Sequence, residues 1–296
     1  MNNSFVLGSV LVGVDGSAGS DRALAWAATY AQDWGRPLVV VHVAGFPVVT
    51  DFGIDMAETE GGLLAAGRRV TQRAVETVAA EHPTLAVTEH RAIGDPRAVL
   101  TQLAEGASVL VLGSRGRGAL ASLLLGSVSV ALAAQAPCPV VVVRPPLEHL
   151  PSQELSVVVG LAGDEDAADA LTIAFELASA AQRPLEVVHS VGAAIVFPYP
   201  DLAVPELTER LTQAADQLTI ETVEGYARKF PEVVVRRRLV YDSPTQALVT
   251  ASRSAAVVGV GCRGRGPAKS HLLGSVSRSV VERAHCTVVV ARGGRQ

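Results

Sequence analysis

The chain has 296 residues, 49% hydrophobic and 18% charged, with a formal net charge of −4. That is enough apolar material for two domains of about 150 residues, each with its own core, and the acidic balance argues against general nucleic-acid binding, which needs a basic surface. No apolar run reaches the ~18–20 residues of a membrane span, the three cysteines give no disulfide framework, and MNNSFVLGSVLVGVDGS has no basic leader, so a cytoplasmic location is expected.

Residues 7–15 (LGSVLVGVD) read as a buried strand. Residues 20–34 read as a helix with Ser20 as candidate N-cap and an Ala/Leu/Trp face; Gly35, Arg36 and Pro37 end it. Residues 38–43 (LVVVHV) are a second buried strand, and residues 58–81 carry a long helical pattern stopped by His82-Pro83. Residues 85–92 alternate as an outer strand does. Gly94-Asp95-Pro96 opens a short helix with proline in its first turn. Residues 108–112 form a fourth strand, 127–136 a last helix and 139–143 (PVVVV) a fifth strand. Strands alternating with helices predict a parallel, doubly wound sheet. Ligands in such sheets bind outside the carboxyl ends of the strands, where strand order reverses.

The fourth strand runs into Gly113–Ser129, GSRGRGALASLLLGSVS. A strand, a glycine-rich loop and a helix N-terminus together suit an anion: glycines admit close approach, and first-turn amides and the helix dipole favour negative charge. Ser127 is read as a hydroxyl donor at the cap, and Arg115 and Arg117 as added charge. The stretch returns as Gly261–Ser277, GCRGRGPAKSHLLGSVS, with the same spacing from Gly116 to Gly126-Ser127 and from Gly264 to Gly274-Ser275. SVLVGVDGS likewise reappears as SVVVGLAGD, and RPLVVVHV as RPLEVVHS. The chain is a two-copy duplication, with domains at 1–145 and 156–296 and a Pro-rich linker at 146–155.

Val14-Asp15-Gly16-Ser17, His42-Val43 and the two glycine loops give a chain that resembles the universal stress protein family in its tandem, ATP-binding form, over nearly its whole length. The resemblance implies two five-stranded, Rossmann-like domains of the adenine nucleotide alpha hydrolase-like type. It implies adenosine beside Gly13, Asp15 and Val43, with phosphates on Gly113, Ser114, Arg115, Gly116, Arg117, Gly118, Gly126, Ser127 and Val128. In the second half the counterparts are Gly160, Ser190, Gly261, Cys262, Arg263, Gly264, Arg265, Gly266, Gly274, Ser275 and Val276. ATP with Mg²⁺ is the expected ligand. The family's last strands pair the two halves, so the same pairing is expected here; further association into a homodimer stays open, as do protein partners.

The halves differ where Ala162 and Ser190 replace Asp15 and Val43. Asp164, Glu165 and Asp166 follow, either as a solvated first helical turn or with Asp164 standing in for Asp15 or helping to hold Mg²⁺. The second site is expected to bind ATP more weakly. His42 and His189 read as packing residues or as direct participants, His271 as a phosphate contact or a solvated residue, and Arg236, Arg237 and Arg238 as a solvated edge or an anion site. Cys138 and Cys286 read as small core residues, and Cys262 as a replacement for Ser114 or as a redox-relevant thiol.

No Walker loop, dinucleotide fingerprint, nucleophile elbow or zinc spacing occurs, and neither loop offers an obvious base. The first expectation is a nucleotide-dependent regulator in a stress or dormancy response with no catalytic residue. The second is a slow ATPase or nucleotidyl-transfer enzyme, and the third an interaction module with vestigial loops.

Overall fold

The computed structural model describes residues 6–45, 56–116, 125–146, 155–161, 165–191, 205–262 and 273–292. The chain separates into two compact units after Pro145. Unit 1 runs β1 (Val10–Gly13), α1 (Ala18–Asp33), β2 (Leu38–Ala44), α2 (Met56–Glu81), β3 (Val87–Ile93), α3 (Pro96–Ala104), β4 (Val109–Gly113), α4 (Ser127–Gln135) and β5 (Val140–Val143). Its strands are parallel in the order β3-β2-β1-β4-β5. Leu11, Leu38, Leu110 and Leu132 are fully buried in its core.

Unit 2 runs β6 (Ser156–Leu161), α5 (Glu165–Ala180), β7 (Leu185–Ser190), α6 (Pro205–Ala227), β8 (Val235–Val240), α7 (Pro244–Ala251), β9 (Ala255–Gly261), α8 (Ser275–Arg283) and β10 (Thr287–Ala291). Its order, β8-β7-β6-β9-β10, repeats that of unit 1, again all parallel. In each unit the chain leaves the first strand to one side and returns to the other. The crevice between β1 and β4, or β6 and β9, is therefore the switch point at which such sheets bind ligands.

Three local readings are corrected. The first strand starts at Val10, since Gly8 turns at φ +69° and Leu7 is 77% exposed. The cap of α1 is Ser17, not Ser20: Ser17 has an extended backbone (φ −85°, ψ 157°), and its Oγ accepts the Ser20 amide at 3.2 Å. Ser20 instead lies in the first turn and donates its hydroxyl to Ser17 O at 2.9 Å. The cap of α4 is Gly126, not Ser127.

The outer strands β3 and β8 lie at the expected edges, but neither alternates: every residue of both is half-buried or exposed. On β8, Arg237 meets Asp216 at 2.7 Å and Arg238 meets Glu186 at 3.0 Å, so two members of the arginine run sit in partly exposed ion pairs. Such pairs are worth little but keep an edge strand charged. Cys138, Cys262 and Cys286 are all buried.

The units differ in how their first two helices meet. In unit 2 Phe175 is fully buried and stacks with Tyr226 and Phe230 at 5.6 and 5.7 Å. The gap-free match of Val10–Val43 with Val157–Ser190 puts Ala28 of unit 1 at the Phe175 position, and a groove of about 590 Å³ remains over the α1/α2 seam. Helix α2 also carries Gly61 and Gly62, exposed and with open space where a Cβ would stand. Glycine inside a helix is disfavoured by roughly 0.5–1 kcal/mol relative to alanine. Gly61→Ala or Gly62→Ala is expected to raise stability by about that amount in a urea titration; a lower midpoint would mean that α2 needs a flexible start.

Candidate functional site

At the mouth of unit 1 the turn after β1 and the loop after β4 are built against each other. Val14 N–H donates to Val41 O at 2.8 Å, closing the β1 end onto β2. The Ser17 amide donates to Asp15 Oδ1 at 2.9 Å, folding the carboxylate over its own turn. Gly16 sits at φ +78° against Val70, a conformation that requires glycine. On the facing side, Ser114 N–H donates to Val143 O at 2.8 Å, and Ser17 Oγ donates to Arg115 O at 3.4 Å. Gly19 lets α1 approach that same Arg115 carbonyl, which a Cβ would strike. A Cβ on Gly116 would lie 2.5 Å from Asp15 Oδ2, so the carboxylate rests against the bare Cα of Gly116. The main chain of Arg115 is therefore fixed between elements while its residue as a whole stays exposed.

The start of α4 is drawn onto the same loop. Gly126 N–H donates to Ser114 O at 2.7 Å, and Ser129 Oγ donates to Gly113 O at 2.7 Å. The N-cap is Gly126, at φ −75° and ψ 146°, with no side-chain cap bond. This corrects the reading of Ser127 as cap: Ser127 is the first helical residue and is exposed, with Val128 behind it half-buried. In contrast, α1, α3 and α7 are capped by the side chains of Ser17, Asp95 and Ser243.

Unit 2 repeats the three bonds that hold the loop after the fourth strand. Cys262 N–H donates to Ala291 O at 2.9 Å, Gly274 N–H to Cys262 O at 2.8 Å and Ser277 Oγ to Gly261 O at 2.5 Å. Gly274 is the cap, again with no side-chain bond, and Ser275 and Val276 open α8. Cys262 takes the place of Ser114 and makes the same two main-chain bonds; both residues are buried. Ser17, Gly19, Ser129 and Ser277 were not among the sequence candidates. The signal for the last two was present, as the final serine of each repeated Gly-Ser-Val-Ser.

Gly13 and Gly160 have a packing reason of their own. A Cβ would fall 2.8 Å from Leu112 Cδ2 at Gly13 and 2.8 Å from Leu248 Cδ1 at Gly160. Val43 lies half-buried near the end of β2; at the matching end of β7, Ser190 Oγ donates to Asp242 O at 2.6 Å. His42 Nδ1 meets Val14 O at 2.7 Å, and His189 is buried. Arg117, Gly118, Arg263, Gly264, Arg265, Gly266, Ala162, Asp164 and His271 lie outside the described residues, as do the side chains of Glu165 and Asp166. The residues the structure brings together are thus Asp15, Gly113, Ser114, Arg115, Gly116 and Gly126, and in unit 2 Gly261, Cys262 and Gly274.

The family model for the universal stress proteins matches this chain twice, over residues 7–144 and 155–292. The chain belongs to the universal stress protein family, in tandem form. The universal stress protein Rv2005c of Mycobacterium tuberculosis H37Rv is 38% identical to this chain over 289 residues, covering 96% of each. A second universal stress protein of that organism, Rv2623, is 33% identical over 294 residues with the same coverage. In fold, this universal stress protein is similar to the crystal structure of one from Archaeoglobus fulgidus, at a TM-score of 0.70 and 20% identity, covering 96% of this chain and 98% of that one. No helix among the described residues is long and apolar enough to cross a membrane.

Proposed function

We propose that the protein is an ATP-binding regulator whose state or partners change with nucleotide occupancy. One observation carries the reading: each unit has, at its switch point, a helix whose first turn is capped by glycine and left without a side-chain bond. Gly126 and Gly274 withdraw the group that would otherwise satisfy those amides. First-turn amides that the cap residue does not bond, a helix dipole and two glycine-flanked loops form a surface suited to phosphates. In unit 1 the phosphates would lie on the Gly113–Gly116 loop and the first turn of α4, with the Arg115 guanidinium in reach from solvent.

Asp15 is assigned to the nucleoside end; its Oδ1 accepts from its own turn and its Oδ2 rests against Gly116. Among the described residues no group of three or more His, Cys, Asp or Glu could hold a metal ion. Mg²⁺ would enter with the triphosphate and take phosphate oxygens and water for most of its ligands. Binding, not turnover, is the proposed task. The proposed setting is a stress or dormancy response inside the cell.

Mass spectrometry of the small molecules released from purified, denatured protein tests the reading. Adenine nucleotide at a substantial fraction of the protein concentration is the expected result. Its absence, together with flat calorimetric titrations at millimolar MgATP, would end it. Formation of ADP above the level of a Gly116→Asp/Gly264→Asp double variant would instead make the protein a slow ATPase.

A further inference from the structure

Helix α2 contains a glycine that propensity does not explain. Gly67 is buried in mid-helix, where glycine is disfavoured by roughly 0.5–1 kcal/mol relative to alanine. Unlike Gly61 and Gly62, it has no room: a Cβ would lie 2.8 Å from His42 Cδ2 and 3.6 Å from His42 Nε2. The imidazole therefore lies against the bare surface of α2. Its other side is fixed by the 2.7 Å contact between Nδ1 and Val14 O. A carbonyl oxygen only accepts, so Nδ1 carries the proton and a neutral ring has an unprotonated Nε2. Val14 is the residue immediately before Asp15, and its own N–H is bound to Val41.

We propose that His42 is a positioning residue for the nucleotide site of unit 1. Standing on β2 and clamped between α2 and the β1 turn, it holds Val14 O, and through it the Asp15-Gly16-Ser17 turn that aims the carboxylate at Gly116. This rests on the proposed nucleotide site, but the clamp itself is present without a ligand. Two of its three elements lie far apart in sequence, so a ring of this size and polarity is the link that registers α2 against the β1 turn.

Two substitutions separate position from bulk. In His42→Asn the amide nitrogen replaces Nδ1–H as donor to Val14 O; in His42→Phe the ring volume stays and the donor is lost. The first readout needs no nucleotide. In ¹⁵N-labelled protein, His42 is expected to give the Nδ1–H tautomer. The Ser17 amide, bound to Asp15 Oδ1, is expected to exchange with solvent about tenfold or more faster in His42→Phe and close to the parent rate in His42→Asn. The second readout is MgATP affinity by calorimetry in a Gly264→Asp background, which isolates unit 1. A loss of about tenfold or more in His42→Phe, with recovery in His42→Asn, is expected.

Unchanged Ser17 exchange in a folded His42→Phe variant would overturn the proposal, as would an Nε2–H tautomer or equal ATP affinity in all three proteins. If no parent protein binds ATP, the proposed function falls, and the clamp is still decided by the tautomer and the exchange rates. Should His42→Phe fail to fold, His42→Asn against His42→Ala gives the same comparison without the ring.

Discussion

Gly113→Ala is expected to cost unit 1 about 3 kcal/mol, the upper part of the range for overpacked sites, and to lower its melting temperature by roughly 6–12 °C. The new Cβ would stand 2.5 Å from Gly19 O, 2.6 Å from Gly19 C and 3.1 Å from Ser20 N. All three are main-chain atoms in the first turn of α1, so no side chain can swing aside. Relief requires α1 to move off β4, which breaks the approach of Gly19 to Arg115 O and the Ser17–Arg115 bond together. Gly126→Ala is the control: its nearest neighbour would be Ser114 O at 3.6 Å, an ordinary contact. It is expected to cost less than about 1 kcal/mol, the usual penalty for a poorer cap. Thermal and urea unfolding of the two variants side by side checks the contrast. Equal losses would mean that the glycine at 113 answers to something other than the close approach of α1.

In calorimetry on single-site variants, the ATP site left in Gly116→Asp is expected to be about tenfold to a hundredfold weaker than the site left in Gly264→Asp. The new carboxylate at position 116 would face Asp15 Oδ2 across a gap that a bare Cβ already narrows to 2.5 Å, and it would also repel phosphate. The site surviving in Gly116→Asp is that of unit 2, where Ala162 replaces Asp15. A hydrogen bond to a charged group contributes about 1.5–3 kcal/mol, which sets the tenfold-to-hundredfold expectation. Asp15→Asn in the Gly264→Asp background should bring unit 1 down toward the unit 2 value. Equal affinities in the two knockouts would remove Asp15 from the nucleotide-binding account.

The fold was legible because its signals are long. Runs such as LVVVHV, the helical pattern that breaks at His82-Pro83 and the duplication itself each span many residues. The site was legible only as spacing: Gly113, Gly116 and Gly126 announce a loop feeding a helix, and both copies agree. What escaped were contacts between distant backbones. Gly19 sits in an unremarkable Ser-Ala-Gly-Ser stretch, and nothing local says that its missing side chain admits Arg115 O. Caps failed for a related reason. Ser17 and Ser20, or Gly126 and Ser127, are equally acceptable to a propensity argument. Which one turns extended is decided by the strand that precedes it and by the carbonyl its amide must reach. Gly13 and Gly160 read as ligand-facing because they stand near the site; the leucines that crowd them come from elsewhere in the chain.

The bond that ties Ser17 to Arg115 spans 98 residues, and Ser129 reaches back 16 more to Gly113. During synthesis, then, the candidate nucleotide site is incomplete while the ribosome is delivering the first three strands, and it closes only once α4 has emerged. Long-range closure of this sort is among the slowest events in assembling a domain. A ligand that recognises only the finished arrangement adds stability in proportion to its concentration over its dissociation constant. Under the proposed function, ATP would therefore discriminate between completed and truncated copies of unit 1, favouring newly made chains that reach the end.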